Sequence, residues 1–210
     1  LFSICTAVLA ISCGLFLATM ANRALKGKSA IRTMLIWPYA VAPAISGILW
    51  LFLLHPSFGI VAIFIKKTLG INWNPILNGS DAMIMVVLAS AWKEISYNFV
   101  FFIAGMQSIP KSLTEAAAID GASPMRRFFS ITLPLLSPTL FFLTVMNIIY
   151  SFFETFGVIH TVTQGGPGGS TNILVYKVYQ DGFVGLDLGS SSAQSVVLMT
   201  LIIIITVLQF

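Results

Sequence analysis

Five blocks of apolar residues, separated by more polar connections, organise the chain. They cover residues 1–21, 31–54, 82–106, 135–156 and about 191–210. Each block is close to the roughly 20 residues that cross a bilayer as an α-helix. None shows the period-2 alternation of a membrane strand, and a helix satisfies its own backbone polar groups in hydrocarbon. The pattern therefore predicts an all-α, polytopic transmembrane helix bundle forming a single domain over residues 1–210.

Composition supports a membrane protein without an active site. Hydrophobic residues make up 57% of the chain and charged residues 9%, whereas about a quarter of a soluble domain is charged. Five spans leave no room for a soluble catalytic domain, no nucleophile–base pair is visible, and His55 and His160 are isolated. We therefore expect neither a catalytic nor a metal site. Leu1 is not a start methionine and both ends fall inside apolar runs, so we expect a fragment.

The distribution of Lys and Arg predicts how the chain threads the membrane. Residues 23–32 carry four and residues 108–133 carry three, whereas the connections 56–81 and 157–190 carry three together. Because cytoplasmic loops are enriched in Lys and Arg, we expect the first and third connections in the cytoplasm. Residues 58–69 predict a short helix in the outer interface. Pro38 and Pro43 predict a kink in the second span.

The connection over residues 108–134 predicts two short helices separated by a sharp turn. Residues 113–119 are Ala-rich and favour a helix, which Asp120-Gly121 ends because glycine tolerates the left-handed conformation. Residues 124–133 form a second amphipathic stretch, which ends at Pro134 as the opening of the next span. Taken alone, this pattern is also typical of an amphipathic loop lying on the membrane surface.

The spacing of particular residues in this connection resembles the EAA motif of ABC import permeases, in their sugar-permease branch. Glu115-Ala116-Ala117, Gly121, Ile131 and Leu133-Pro134 match its defined positions. The resemblance implies a type I ABC importer permease fold, with six spans at full length and five in this fragment. It also implies that residues 108–134, here called the EAA loop, couple the chain to an ATPase through Glu115, Ala116, Ala117, Asp120, Gly121, Arg126, Ile131, Leu133 and Pro134.

The same resemblance implies partners and location. We expect an ATP-binding-cassette ATPase dimer, a second homologous permease subunit, an extracytoplasmic substrate-binding protein and the lipid of a bacterial inner membrane, with no nucleic acid. ATP and Mg²⁺ are expected on the ATPase, and no cofactor on this chain. An ion-coupled secondary transporter is the alternative from another class, but such a carrier has no reason to present Ala-Ala and Gly on a short cytoplasmic helix.

Three further segments bear on the cargo. Residues 38–43, 92–98 and 179–199 look like the corresponding parts of A-type permease subunits of sn-glycerol-3-phosphate importers. That resemblance implies sn-glycerol-3-phosphate or a related glycerophosphodiester as cargo. The Trp-Lys and Gly-Gly-Pro elements also occur in disaccharide permeases, so a neutral di- or oligosaccharide remains the alternative.

Polar residues inside two spans predict where a cargo passes. Ser90, Lys93, Glu94, Tyr97 and Asn98 fall within about 140° of one helix, and Asn147, Tyr150, Ser151 and Glu154 within about 100° of another. Polar groups at membrane depth usually face a bundle interior or a watery cavity. The pathway candidates are Lys93, Glu94, Tyr97, Asn98, Asn147, Tyr150 and Glu154. Hydrogen bonding that only holds the helices together is the alternative for each of them.

Overall fold

A computed structural model of the chain describes residues 1–23 and 28–209, and within them the regular structure is entirely helical. Twelve α-helices follow one another in the order α1 (Phe2–Arg23), α2 (Lys28–Ile36), α3 (Pro43–Leu53), α4 (Ile60–Leu69), α5 (Gly79–Ser108), α6 (Lys111–Ile119), α7 (Pro124–Arg127), α8 (Leu133–Leu135), α9 (Ser137–Phe153), α10 (Phe156–Val162), α11 (Leu174–Tyr179) and α12 (Leu188–Gln209). A 3₁₀ turn, Trp37–Ala40, joins α2 to α3, and π-helical turns cover Phe128–Thr132 and Gln180–Val184. The predicted all-α class is confirmed. Residues 24–27, part of the predicted 23–32 connection, lie outside the described residues.

Three helices in the described ranges are long and apolar enough to cross a bilayer on their own: α1, α5 and α12. The predicted spans at 31–54 and 135–156 are instead parts of bent pairs. Arg32–Ala40 meets Pro43–Leu53 at 108°, and Pro124–Leu135 meets Ser137–Phe153 at 66°. The count therefore reaches the predicted five when each bent pair is taken as one span. The expected kink at Pro38 and Pro43 is a full break, because each proline removes a backbone donor and clashes with the preceding turn.

Small residues allow α1 to lie directly against α5. Ala10, Gly14, Ala18 and Ala21 recur at helical spacing and are all buried. A Cβ on Gly14 would lie 2.7 Å from the Cβ of Asn98 on α5, so only glycine permits this approach. Close contact between small residues is the usual way membrane helices gain packing energy, since lipid provides no hydrophobic drive between them.

Two apolar clusters lie along α5, with polar residues between them. One contains Phe99, Phe102 and Met106 together with residues of α1 and α9. The other contains Val86 and Ala89 together with Val158 and Ile159 of α10. Residues 90–98 of α5, between these clusters, include Ser90, Lys93, Glu94, Tyr97 and Asn98. The polar part of the helix is thus held in the middle of the bundle by apolar packing on both sides.

The two connections predicted to face outward meet at one end of the bundle. A Cβ on Gly79, at the start of α5, would lie 2.6 Å from the side chain of Ser170. The indole N–H of Trp73 donates to the carbonyl of Leu54 at 2.9 Å, which fixes the connection before α5 against the end of α3. The predicted short helix at 58–69 is confirmed as Ile60–Leu69.

The connection at 157–190 contains regular structure that the sequence did not predict. Helix α10 folds back against α3, where Gly47 would place a Cβ 2.7 Å from both Thr161 Oγ1 and Val162 Cγ2. The hydroxyl of Thr161 donates to the carbonyl of Gly157 within α10 at 2.8 Å and also lies 3.3 Å from the carbonyl of Ala44 at the start of α3. α10 and α11 are only seven and six residues long, too short for a periodic pattern to be visible.

The entry into the fourth predicted span also differs from the expectation. Pro134 does not open that span but lies inside the three-residue helix Leu133–Leu135. The span begins at Ser137, with Pro138 next to its first position. Proline is tolerated in a first helical turn because its missing N–H would have no intrahelical partner there. The sequence was therefore compatible with a span that opens at Pro134 or at Pro138, and in the structure it opens at Pro138.

Candidate functional site

A cavity of about 370 Å³ lies where the polar part of α5 faces α9 and the 3₁₀ turn. We call it the central cavity. Its wall combines hydroxyl, carboxylate, ammonium and apolar groups, which come from Tyr39, Lys93, Glu94, Tyr97, Met146, Ile149, Tyr150 and Glu154. Five of the seven predicted pathway residues line it: Lys93, Glu94, Tyr97, Tyr150 and Glu154. The polar stripes of the two spans therefore do face one another across a cavity.

Lys93 and Glu94, two of the charged residues of the central cavity, differ in their surroundings. The ammonium of Lys93 lies 5.8 Å from the centre of the Tyr39 ring, a cation–π distance. Glu94 is only 4% exposed. The hydroxyl of Tyr150 is buried and has no hydrogen-bond partner among the described residues. A buried hydroxyl normally has a partner, so this group is available to a hydroxyl, a phosphate or water in the cavity.

Tyr39 and Glu154 keep one side of the central cavity open. Tyr39 is 48% exposed and Glu154 is also exposed, whereas Glu94 and Tyr150 in the same wall are buried. The rings of Tyr39 and Tyr97 lie 5.6 Å apart and continue the aromatic wall toward Phe101. The cavity is therefore a half-site that a second surface can complete.

Asn98 and Asn147, the other two pathway candidates, do not line the cavity. Both are fully buried, and each amide donates to the other's oxygen. Asn147 also donates to the carbonyl of Leu143 at 2.7 Å. For these two residues the structure supports the alternative of interhelical hydrogen bonding.

Tyr39 is the cavity residue that the stripe argument missed, because it lies on neither polar stripe. It belongs to the turn Trp37–Ala40, between the two prolines that break the second span. Irregular backbone at membrane depth is tolerated where it lines a cavity or is buried in protein. Pro38 and Pro43 were therefore a signal, present in the sequence, for a wall residue beside them.

The EAA loop presents a short helix that ends at a glycine-dependent turn. Gly121 has φ +77°, and a Cβ there would meet no atom within 4 Å. The amide of Ala122 donates to the carbonyl of Ala117 at 2.9 Å, and that of Gly121 to Ala118 at 3.1 Å. These two bonds are those of a Schellman cap, which favours glycine at the left-handed position.

Exposure divides the predicted coupling residues into two groups. Glu115, Ala116, Asp120, Gly121, Arg126 and Pro134 are exposed, whereas Ala117, Ile131 and Leu133 are partly buried. Ile119 was not among the predicted residues, yet its side chain is 87% exposed next to the turn. A large apolar side chain exposed in a connection outside the membrane is suited to contact with another protein.

A hydrogen bond from a side chain to the backbone joins the two short helices of the EAA loop. The guanidinium of Arg127 donates through Nη1 to the carbonyl of Thr114 at 3.2 Å. Thr114 lies in α6 and Arg127 ends α7, so the loop is cross-braced rather than extended. Asn22 of α1 and Thr114 line a common pocket, which places the EAA loop at the same end of the bundle as the end of α1.

Comparisons with known proteins agree on one family. Residues 10–210 match the family described as binding-protein-dependent transport system inner membrane component. The chain is 59% identical over 210 residues to the sn-glycerol-3-phosphate transport system permease protein of Rhizobium meliloti (strain 1021), covering 100% of this chain and 71% of that protein. It is 57% identical, with the same coverage, to the protein of that name from Agrobacterium fabrum.

Solved structures resemble the fold at lower sequence identity. A bacterial ABC transporter involved in the import of the acidic polysaccharide alginate matches with a TM-score of 0.84 at 20% identity, over 99% of this chain and 75% of that one. The alginate ABC transporter in complex with an alginate pentasaccharide-bound periplasmic protein matches with a TM-score of 0.86, over 99% and 73%. At this identity the likeness concerns the arrangement of helices.

Proposed function

The chain belongs to the family of binding-protein-dependent transport system inner membrane components, the permease subunits of ABC importers, and we propose that its cargo is sn-glycerol-3-phosphate or a related glycerophosphodiester. The predicted ABC permease is thereby confirmed, as a multi-pass protein of the bacterial inner membrane. The observation that carries the proposed cargo is the 59% identity, over the whole chain, to a permease named for sn-glycerol-3-phosphate transport.

The central cavity suits the two ends of such a cargo differently. The carboxylates of Glu94 and Glu154 and the hydroxyl of Tyr150 accept hydrogen bonds from the hydroxyls of a glycerol unit. Lys93 provides a compact positive charge for the phosphate. With one ammonium and two carboxylates in the wall, this half-site does not neutralise a phosphate dianion by itself. The remaining positive charge is assigned to the partner permease, across the side that Tyr39 and Glu154 leave open.

In this proposal the EAA loop transmits the movement of the ATPase to the helices that line the central cavity. In this proposal ATP and Mg²⁺ bind a partner ATPase dimer, which contacts the exposed group Glu115, Ala116, Asp120 and Gly121. The loop follows α5 and precedes α9, the two helices that bear the cavity residues Lys93 and Tyr150. Because Arg127 braces α6 against α7, a displacement of the loop is passed to α5 and α9 as a unit. An extracytoplasmic binding protein would deliver cargo at the opposite end.

A neutral di- or oligosaccharide is the second candidate cargo. The wall of the central cavity contains three tyrosines and two carboxylates, groups that also bind sugar hydroxyls and ring faces. The two candidates differ in charge and therefore in what they require of Lys93. A phosphate requires its ammonium, whereas a neutral sugar requires only a hydrogen-bond donor.

The test is substrate-stimulated ATP hydrolysis by the complete transporter, reconstituted in lipid with the full-length subunit and its binding protein. Glycerol-3-phosphate, glycerophosphocholine and a disaccharide are compared at saturating concentration. We expect stimulation by the phosphate esters and none by the disaccharide. Stimulation by the disaccharide alone would overturn the proposed cargo, and a chain that transports without any ATPase would overturn the proposed coupling.

A further inference from the structure

A second polar pocket lies at the EAA-loop end of the bundle, and it shares no wall residue with the central cavity. Its volume is about 370 Å³. This interfacial pocket is formed where the last turn of α1 approaches the EAA loop, and its wall includes Thr19, Asn22, Thr114, Arg127, Phe128 and Thr132. Because α1 and α5, two helices long enough to cross a bilayer, both end beside it, we place this pocket at the level of the membrane surface.

The guanidinium of Arg127, in the wall of the interfacial pocket, has a hydrogen-bond donor without a partner. One nitrogen of its guanidinium, Nη1, donates to the carbonyl of Thr114. Its Nε is buried and has no hydrogen-bond partner among the described residues. Within those residues no carboxylate pairs with Arg127, since the ion pair they contain is Lys177–Asp181. Arg127 as a whole is partly buried, and a donor withdrawn from water without a partner is unfavourable unless a bound group accepts its hydrogen bond.

The other polar groups of the pocket complete a set of donors. The hydroxyls of Thr19 and Thr114 already donate to the carbonyls of Leu15 and Lys111. The amide of Asn22 and the hydroxyl of Thr132 make no hydrogen bond within the described residues, so both are free to donate. Arg127, Asn22 and Thr132 therefore place hydrogen-bond donors in the wall of one pocket, beside the apolar side chain of Phe128.

We propose that the interfacial pocket binds the phosphate group of an anionic phospholipid headgroup. The planar guanidinium fork matches phosphate oxygens and forms the strongest class of hydrogen bond. The cytoplasmic leaflet supplies such headgroups at this depth and attracts basic residues near its surface. Bound between α1 and Arg127, the headgroup reinforces the brace from Arg127 to Thr114. Lipid composition then tunes the stiffness of the EAA loop, whatever the cargo.

The experiment counts bound lipid on the complete transporter, purified with the full-length subunit, by native mass spectrometry. Phosphatidylglycerol and phosphatidylcholine are titrated separately. Arg127→Gln should weaken phosphatidylglycerol binding at least about tenfold, as expected for a lost charge-assisted hydrogen bond. Lys111→Gln is the matched control: it makes the same change in net charge on the same loop, at a residue that is exposed, outside the pocket wall and not among the predicted coupling residues. It should change binding less than about twofold.

Equal losses in both variants would reduce the effect to general surface charge and overturn the proposal. Inorganic phosphate and glycerol phosphate are titrated in a second arm, with phosphatidylcholine as the only lipid. Binding there that depends on Arg127, together with no preference for phosphatidylglycerol, would overturn the lipid source in favour of a soluble phosphate. If Arg127→Gln fails to assemble, Thr132→Val carries the test, with Ser130→Ala as the hydroxyl control outside the wall. The first should weaken binding about threefold and the second should not.

Discussion

Asn98 of α5 and Asn147 of α9 exchange two hydrogen bonds across the interface between their helices. The amide of Asn147 donates to the Oδ1 of Asn98 at 2.7 Å, and the amide of Asn98 donates in return at 3.2 Å. Both side chains are buried, at 0% and 1% exposure. The pair fixes how α5 and α9 face one another, and those helices provide most of the wall of the central cavity.

Replacing both members of this pair together should destabilise the bundle less than the two single replacements added together. Asn147→Leu leaves the Asn98 amide buried without its partner, which costs about 1–2 kcal/mol. In the double variant, with leucine at both positions, no orphaned amide remains, so its cost should be smaller than the sum of the two single costs. Thermal unfolding of the purified complex measures all three.

The control for this cycle is Thr200→Val, whose hydroxyl donates only to the carbonyl of Val196 within α12 and is exposed. It should change stability by less than about 0.5 kcal/mol. Strictly additive single and double effects would show that Asn98 and Asn147 do not act together.

Lys93 is the cavity residue whose replacement separates charged from neutral cargo. Lys93→Met keeps an unbranched side chain of similar length but removes the ammonium, and with it the cation–π contact with the Tyr39 ring. Uptake of glycerol-3-phosphate should fall about tenfold, the loss of one charge-assisted contact, while the complex assembles normally. Uptake is measured in proteoliposomes. Lys67→Met, in the exposed helix α4, is the control, and unchanged uptake by Lys93→Met would remove Lys93 from the site.

How much the sequence predicted depends on whether a feature is periodic or local. The apolar blocks are confirmed as helical, two of them with a sharp break, and part of each polar stripe on α5 and α9 lines the central cavity. Gly121 was predicted from local chemistry, because a turn after an Ala-rich helix favours a left-handed residue, and its φ is +77°. These features follow from a few neighbouring residues, which a single sequence contains.

Features that depend on which helices become neighbours could not be predicted in the same way. Asn98 lies on the same stripe as Glu94, yet it faces Asn147 rather than the cavity, and Gly14 of α1 packs directly against this part of α5. Tyr39 reaches the wall only because the chain turns by 108° beside it. Periodicity shows that a residue lies on a polar face but does not assign the partner on that face.

Asp181 gives the segment after α11 a pH-dependent stability. The amide of Gln194 donates to its carboxylate and, with smaller contributions from Lys177 and Ser190, lowers the pKa of Asp181 below its usual value. A lowered pKa in the folded state means that this stabilisation is present above the ordinary pKa of an aspartate and is lost as pH falls through the lowered one. Protection of residues 178–190 against hydrogen exchange, corrected for the intrinsic exchange rate at each pH, should therefore fall on acidification. Asp181→Asn should exchange faster at neutral pH and respond less to acid, and an equal response in both proteins would contradict this assignment.

Gly121→Arg and Gly70→Arg form a matched pair that separates backbone strain from lost coupling. Both glycines end a short helix with positive φ, +77° and +67°, and a Cβ at either meets no atom within 4 Å. Any side chain therefore costs each turn a similar strain, about 1–2 kcal/mol. Only Gly121 lies on the EAA loop, beside the exposed Ile119, where an arginine also obstructs the surface assigned to the ATPase.

We expect both variants to insert into the membrane, with Gly70→Arg retaining substrate-stimulated ATP hydrolysis. Gly121→Arg should lose at least about tenfold of it, through weaker association of the ATPase. The two activities are measured in the same reconstituted complex. Equal losses would assign the effect to strain alone, and normal transport by Gly121→Arg would show that the EAA loop is not where work enters this subunit.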